Sequence, residues 1–200
     1  MNDIYLRGIL KEVEPSHEID GITFDKAKLI CKREDGKEDA INLRFKSFSN
    51  RYSENDEVSF KGNVRSYSYK TEDDKNKVVI YVFTYFDDPE DEVERNNIVH
   101  IDGRICKINE LRRTRSGKHN IHFIIANNLL SSDGRKRLNS YIPCIAWGTT
   151  AKQLSELGVN DKIQITGELH SREHKKTFED GSVAIRVAHE LLVESFEVVK

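Results

Sequence analysis

Histidine, cysteine and carboxylate side chains are what a catalytic or metal site would be built from, and in these 200 residues their spacing suits neither. His189-Glu190 opens a string like the zinc-binding HExxH, but Val193 stands where the second histidine is required. His170 and His174 share a strand face at i, i+4, whereas His119 and His122 fall on opposite faces. No cysteine lies near enough to complete a metal set with any of them. Cys31, Cys106 and Cys144 are odd in number and form no close pair, which reads as buried thiols in a reducing cytoplasm. A glycine-rich phosphate loop and a GxSxG elbow are both missing. The sequence therefore predicts no enzyme, no metal and no cofactor.

The residues with a useful spacing bind rather than react. Arg112, Arg113, Arg115 and Lys118 surround a Ser116-Gly117 turn, a cationic hairpin tip. Arg135-Lys136-Arg137 follow Asp133-Gly134 in the next loop, and Arg172, His174, Lys175 and Lys176 form a third cluster. Three such clusters at the loop ends of one domain make a funnel able to track a phosphate backbone. Charge alone would hold a duplex as well, so a preference for single strands needs aromatic platforms on which bases stack. Tyr141 and Trp147 lie six residues apart, hence on one face of a strand; alternation leaves open whether that face is outer surface or core.

Over the whole chain, the formal net charge of −2 hides an asymmetry. Residues 1–88 hold 15 Lys/Arg and 18 Asp/Glu (−3), residues 89–94 hold four acids, and residues 95–200 hold 17 Lys/Arg and 12 Asp/Glu (+5). A polyanion partner is expected on the C-terminal half. Apolar residues at 37% and charged residues at 33% suit small barrels with much surface per residue. No apolar run approaches the 18 or so residues of a membrane span, so no membrane role is expected.

The acidic stretch around Pro89 reads as a linker between two copies of one pattern. Ile4, Leu6, Gly8 and Leu10 match Val99, Ile101, Gly103 and Ile105. Asn55-Asp56 through Gly62-Asn63-Val64 match Asn160-Asp161 through Gly167-Glu168-Leu169. Each block alternates with period two and then places a glycine inside the strand, the mark of a bend or a close backbone approach. Two blocks repeated in the same order indicate a duplication. The second copy predicts strands near 97–109, 118–127, 139–147, 162–172 and 183–196, with a short helix over 149–158 in which a threonine caps the start and Gly158 closes the end. In the first copy the helix is reduced to a weak candidate near 47–52. The order of strands and helix predicts an all-β chain of two tandem five-stranded OB-fold Greek-key barrels, residues 1–88 and 96–200, joined by the acidic linker 89–95.

Residues 96–200 hold the strings Asn97-x-Val99-x-Ile101-x-Gly103-Arg104-Ile105, Glu110-Leu111-Arg112-x-Thr114-x-x-Gly117 and Phe123-x-Ile125-Ala126-Asn127. Ile142-x-Cys144-x-Ala146-Trp147-Gly148-x-x-Ala151 and the run from Asn160 to Arg172 follow in order. In these strings and their spacing, residues 96–200 resemble the bacterial and phage single-stranded DNA-binding protein family. The resemblance implies non-enzymatic binding of single-stranded DNA, with Trp147 and Tyr141 at stacking positions and His174 where an aromatic is usual. By alignment of the copies, Phe45 would stand for Trp147 and Tyr69 for His174, with Tyr67 beside Tyr69. Four OB folds per assembly are common in the family, which implies a homodimer of tandem barrels. The chain ends in strand-like sequence, Phe196-Glu197-Val198-Val199-Lys200, so the family's acidic recruiting tip is not expected. The competing expectations are an OB module that mainly holds protein partners and a binder of single-stranded RNA.

Overall fold

The computed structural model describes residues 1–47, 52–71, 74, 76–86, 96–130, 137–177 and 182–199, with the backbone alone at 85, 86, 174, 176, 184 and 186. The acidic linker, most of the weak helix candidate near 47–52, and the Arg135-Lys136 pair lie outside the described residues.

The first copy supplies β1 (Asn2–Ile19), β2 (Ile22–Lys32), β3 (Glu38–Lys46), β4 (Glu57–Lys70) and β5 (Asn76–Phe86). The second supplies β6 (Ile98–Ile108), β7 (Arg112–Arg113), β8 (His119–Leu130), β9 (Arg137–Trp147), α1 (Gly148–Leu154), β10 (Lys162–Thr177) and β11 (Val183–Val198). One sheet runs β2-β3-β5-β4-β1-β6-β10-β11-β9-β8-β7, and the extra pairings β2–β1 and β6–β8 close each half on itself. In both halves the third and fifth strands pair in parallel, β3 with β5 and β9 with β11, and the other pairings are antiparallel. This is the OB topology, present twice. The two-residue β7, pairing with β8, is an addition to the five expected strands.

Alternation builds the two cores. Along β3 the inward residues Ile41, Leu43 and Phe45 are at most 3% exposed, and along β9 Ile142, Cys144 and Ala146 are at most 1% exposed. Full burial of each large aliphatic side chain is worth about 1.5–3 kcal/mol. The repeated Asn-Asp turns have a physical cause. Asn55 and Asn160 take the left-handed conformation (φ 77 and 79), which asparagine tolerates. Asp56 Oδ2 accepts the Ser53 N–H at 2.7 Å and Asp161 Oδ2 accepts the Gly158 N–H at 2.8 Å, so each aspartate closes its own turn. The in-strand glycines also have a shared reason. A Cβ at Gly62 would stand 2.6 Å from the Phe83 carbonyl oxygen, and one at Gly167 would stand 2.1 Å from that of Leu192. Both sit at register shifts where the strand bends around its barrel.

Helix α1 departs from expectation at both ends. Its N-cap residue is Trp147, with no side-chain cap hydrogen bond, and its C-cap is Ser155, so neither a threonine nor Gly158 does the work. Ala151 and Leu154 are nevertheless buried and Leu157 packs on the core, as their three-residue spacing requires. Among the described residues no helix is long and apolar enough to cross a membrane.

The barrels meet through antiparallel pairing of β1 with β6, in which Ile4 faces Val99. Those are matching positions of the duplication, so the copies are related by a local two-fold at this pair. The amide of Asn2 brackets Val64, donating to its carbonyl (2.7 Å) and accepting its N–H (2.8 Å). Asn97 brackets Leu169 in the same way, at 2.9 and 3.1 Å. Farther out, Ser171 Oγ accepts the Ala40 N–H at 2.9 Å, and its counterpart Ser66 Oγ accepts the Tyr141 N–H at 2.7 Å.

Where Ser171 meets the first barrel, the seam holds a buried charge. Asp39, fully buried, accepts two hydrogen bonds from Arg33 at 2.5 Å each, the Ser171 N–H at 2.6 Å and the Ser171 hydroxyl at 3.1 Å. Burial pushes the Asp39 carboxyl up, but the Arg33 guanidinium and the Ser171 N–H outweigh it and hold the group below its usual range. The same bond raises Arg33. Burial, helped by the Asp39 charge, pushes the neighbouring Cys31 thiol up to about 12. His189 donates from Nε2 to the Ala40 carbonyl at 2.8 Å, and burial lowers its pKa. The histidine of the HExxH-like string is thus a structural donor at the barrel interface.

Candidate nucleic-acid interface

The hairpin between β6 and β8 is tied at its base and bare at its tip. Thr114 and Lys118 close the turn, Thr114 N–H to Lys118 O at 2.8 Å and Lys118 N–H to Thr114 Oγ1 at 3.1 Å. Gly117 occupies the left-handed region (φ 85) that the turn needs. This rigid loop leaves Arg112, Arg113, Arg115 and Lys118 exposed. The β8–β9 register then sets Asn120 opposite Trp147, bringing the end of the third strand beside the hairpin. An open cleft of about 480 Å³ results, lined by Gly117, Lys118, His119, Trp147, Gly148, Thr149 and Lys152.

Trp147 faces outward at 40% exposure and Tyr141 at 47%. The question that alternation left open is decided for the surface. Six residues of strand put the two rings about 20 Å apart, so they are separate platforms on one face rather than one pair. Tyr141 stands by the barrel seam, through its backbone bond to Ser66. Arg172 and Lys175 are exposed on β10, and Arg137 is exposed where β9 begins. His174 and Lys176 lie in β10 opposite Arg186 and Ala184, their side chains outside the described set. His170, on the same strand face as His174, is engaged by Glu168 at 2.8 Å. Among the described residues no group of histidine, cysteine and carboxylate side chains is placed to hold a metal ion.

In the first barrel the expected correspondence of Phe45 with Trp147 is wrong by one residue. Leu43 pairs with Val82 as Cys144 pairs with Leu191, and Val82 and Leu191 are matched by their pairing with Val64 and Leu169. Phe45 therefore corresponds to Ala146, and Lys46 to Trp147. A one-residue slip turns a side chain to the opposite face. Phe45 is 3% exposed and packs against Phe60 and Tyr52 (both 5.8 Å between ring centroids), so it offers no face to a base. Tyr69 does correspond to His174, and Tyr67 shares its face; the rings stack at 6.2 Å.

Sequence reasoning missed Lys152, which reaches the cleft from α1, and Tyr81, which joins Tyr67 at 5.8 Å. No sequence signal marks either, because both are neighbours only through strand register and helix docking.

Residues 96–199, half of the chain, match the model of the single-strand binding protein family. The chain belongs to that family. Its members bind and do not catalyse, in keeping with a site made of cations and rings. The fold is also that of two crystal structures of the single-stranded DNA-binding protein from Thermus aquaticus. The wild type aligns with a TM-score of 0.72 at 17% identity over 100% of this chain and 93% of the other. A deletion mutant gives 0.73 at 17% identity, over 100% and 95%. No curated protein is a significant match in sequence.

Proposed function

We propose that this family member binds single-stranded DNA with little sequence preference, through the outer face of its C-terminal barrel, and shields it during replication, recombination or repair. The observation that carries the reading is the cleft where Trp147 lies beside Lys118 and the arginine-rich hairpin. Arginine and lysine displace counterions from phosphate while Trp147, and farther along Tyr141, stack bases. Each stacked base is worth about 1–3 kcal/mol. Arg112, Arg113, Arg115 and Lys118 neutralising one phosphate each would set a log–log salt slope of about −2.8. Arg137, Arg172 and Lys175 extend the basic path across the same barrel. Two such chains would bring four barrels together, and we propose a homodimer as the working unit, to be tested by sedimentation.

The single tryptophan makes the test direct. Titration with poly-dT at several salt concentrations should quench its fluorescence, with affinity falling steeply as salt rises. Trp147→Ala should weaken binding about 5- to 150-fold, the equivalent of one stacked base, and Trp147→Phe should restore most of it. Tight binding with unchanged fluorescence would remove Trp147 from the site. Absence of binding at low salt would favour a protein-holding module instead, and preference for RNA oligonucleotides in competition would reassign the ligand.

A further inference from the structure

We infer that the tip of the β1–β2 hairpin is a protein-docking knob whose occupant is the Trp147 cleft of a second copy of this chain, a contact that single-stranded DNA displaces. The inference rests on the reading of that cleft as the DNA site and adds an interaction that regulates access to it.

The β1–β2 and β6–β8 hairpins occupy the same place in the two barrels, because Leu10 pairs with Leu29 where its counterpart Ile105 pairs with Ile125. Their chemistry is opposite. From 12 to 25 the first hairpin carries five acids, Glu12, Glu14, Glu18, Asp20 and Asp25, and no lysine or arginine. A loop of that charge repels phosphate, so it does not do for the first barrel what the arginine-rich hairpin does for the second.

Its geometry presents the tip outward. Asp20 and Gly21 both take the left-handed conformation (φ 51 and 76), the type I′ turn that closes a two-residue hairpin. Ile19 and Ile22 face each other across that turn, 53% and 39% exposed. Two residues farther down the same face His17 and Phe24 stack at 4.9 Å, and Phe24 lies 5.7 Å from Phe83 of the barrel. The isoleucines thus stand on a braced ribbon and need little ordering to dock. At the base Glu14 pairs with Lys26 at 3.0 Å and Glu12 with Lys28 at 2.7 Å. At the tip Glu18 and Asp20 have no salt-bridge partner among the described residues.

The Trp147 cleft has the complementary pattern. It is lined by the exposed indole and by Lys118 and Lys152, which also lack a salt-bridge partner among the described residues. Two isoleucines match the ring, and two carboxylates match two ammonium groups. The contact is one between chains. β1 and β6 leave their pairing at Ile4 and Val99 in opposite directions, which sends the two hairpins of one molecule to opposite ends. A contact this small is weak and salt-sensitive, and a strand carrying many phosphates outcompetes it.

Because Trp147 is the only tryptophan, its emission reports whether the cleft is filled. The reporter is the Ile19→Ser/Ile22→Ser chain, whose quenching by short oligo-dT shows that it is folded with a working cleft. A Trp147→Phe chain, silent in tryptophan emission and intact in its hairpin, is titrated into the reporter at low salt. Reporter emission should change saturably, and the change should fade as salt rises. Adding Ile19→Ser/Ile22→Ser to the silent chain should weaken docking about 10-fold or more. Adding Glu18→Gln/Asp20→Asn, which keeps a residue that tolerates the left-handed turn, should weaken it about 2- to 30-fold and flatten its salt dependence. Where half the clefts are covered, the wild type should bind oligo-dT about 2-fold more weakly than the reporter does. Unchanged reporter emission would overturn the inference, as would a change that survives both hairpin substitutions. Equal oligo-dT affinities of wild type and reporter at every protein concentration would overturn it too. If oligo-dT failed to quench the reporter while docking persisted, the DNA reading of the cleft would fall and the contact between copies would stand.

Discussion

Replacing Asp39 by alanine tests what locks the two barrels together. The carboxylate accepts four hydrogen bonds, two from Arg33 and two from Ser171 of the other barrel. Breaking a buried ion pair from one side costs about 3–5 kcal/mol. Here the Arg33 side chain is 19% exposed and can recover some hydration, which favours the lower end of that range. The Ser171 N–H, left buried without its acceptor, accounts for about 1–3 kcal/mol of the loss. A net cost of about 3 kcal/mol lowers the melting temperature of a chain this size by about 6–12 °C. Ser140 occupies the matching position in the second barrel but offers one neutral bond, to Ser66 N–H at 3.3 Å, so Ser140→Ala should cost about 1 kcal/mol or less. The assay is thermal melting followed by circular dichroism, as a function of pH. The Asp39 carboxyl is held below its ordinary 3.8 in the folded chain, so its contribution is complete above that value and disappears as pH falls through the folded-state value. Wild-type and Asp39→Asn melts should accordingly converge in acid. An Asp39→Ala protein that melts within 2 °C or so of wild type, or a Ser140→Ala protein that loses as much, would refute the account of Asp39 as a charged lock at the seam.

Three further substitutions probe the frame behind the site. Gly167→Ala would push a Cβ to 2.1 Å from the Leu192 carbonyl oxygen and should cost about 1–3 kcal/mol or more, read as a lower melting temperature. Gly158→Ala, where nothing lies within 4 Å of the new carbon, should be close to neutral. His189, whose pKa burial lowers from 6.5, resists protonation when folded, so acidification through that range favours the unfolded chain. Wild-type stability should fall between pH 7.5 and 5.5, and His189→Gln, which can still donate to the Ala40 carbonyl, should fall less in the same melts.

Local chemistry made much of this protein legible in its sequence. Two Asn-Asp turns and two in-strand glycines in the same order specify a duplication, because a left-handed turn and a bulge each accept few residue types. The hairpin charge around Ser116-Gly117 was legible for a similar reason, since a tight turn must expose its flanks. The faces of strands were less so. Alternation placed Tyr141 and Trp147 on one face but could not say inside or outside, and alignment of the two copies misplaced Phe45 by a single position, which put a core ring among the surface candidates. Only the folded register decides such cases, since period two is blind to absolute phase. What tertiary structure alone supplied are the meetings between distant segments: Asp39 with Ser171, Lys152 with Trp147, and Arg44 with Tyr67 and Tyr81. Each depends on how strands close into barrels and how the barrels pair through β1 and β6, and no local preference encodes those distances.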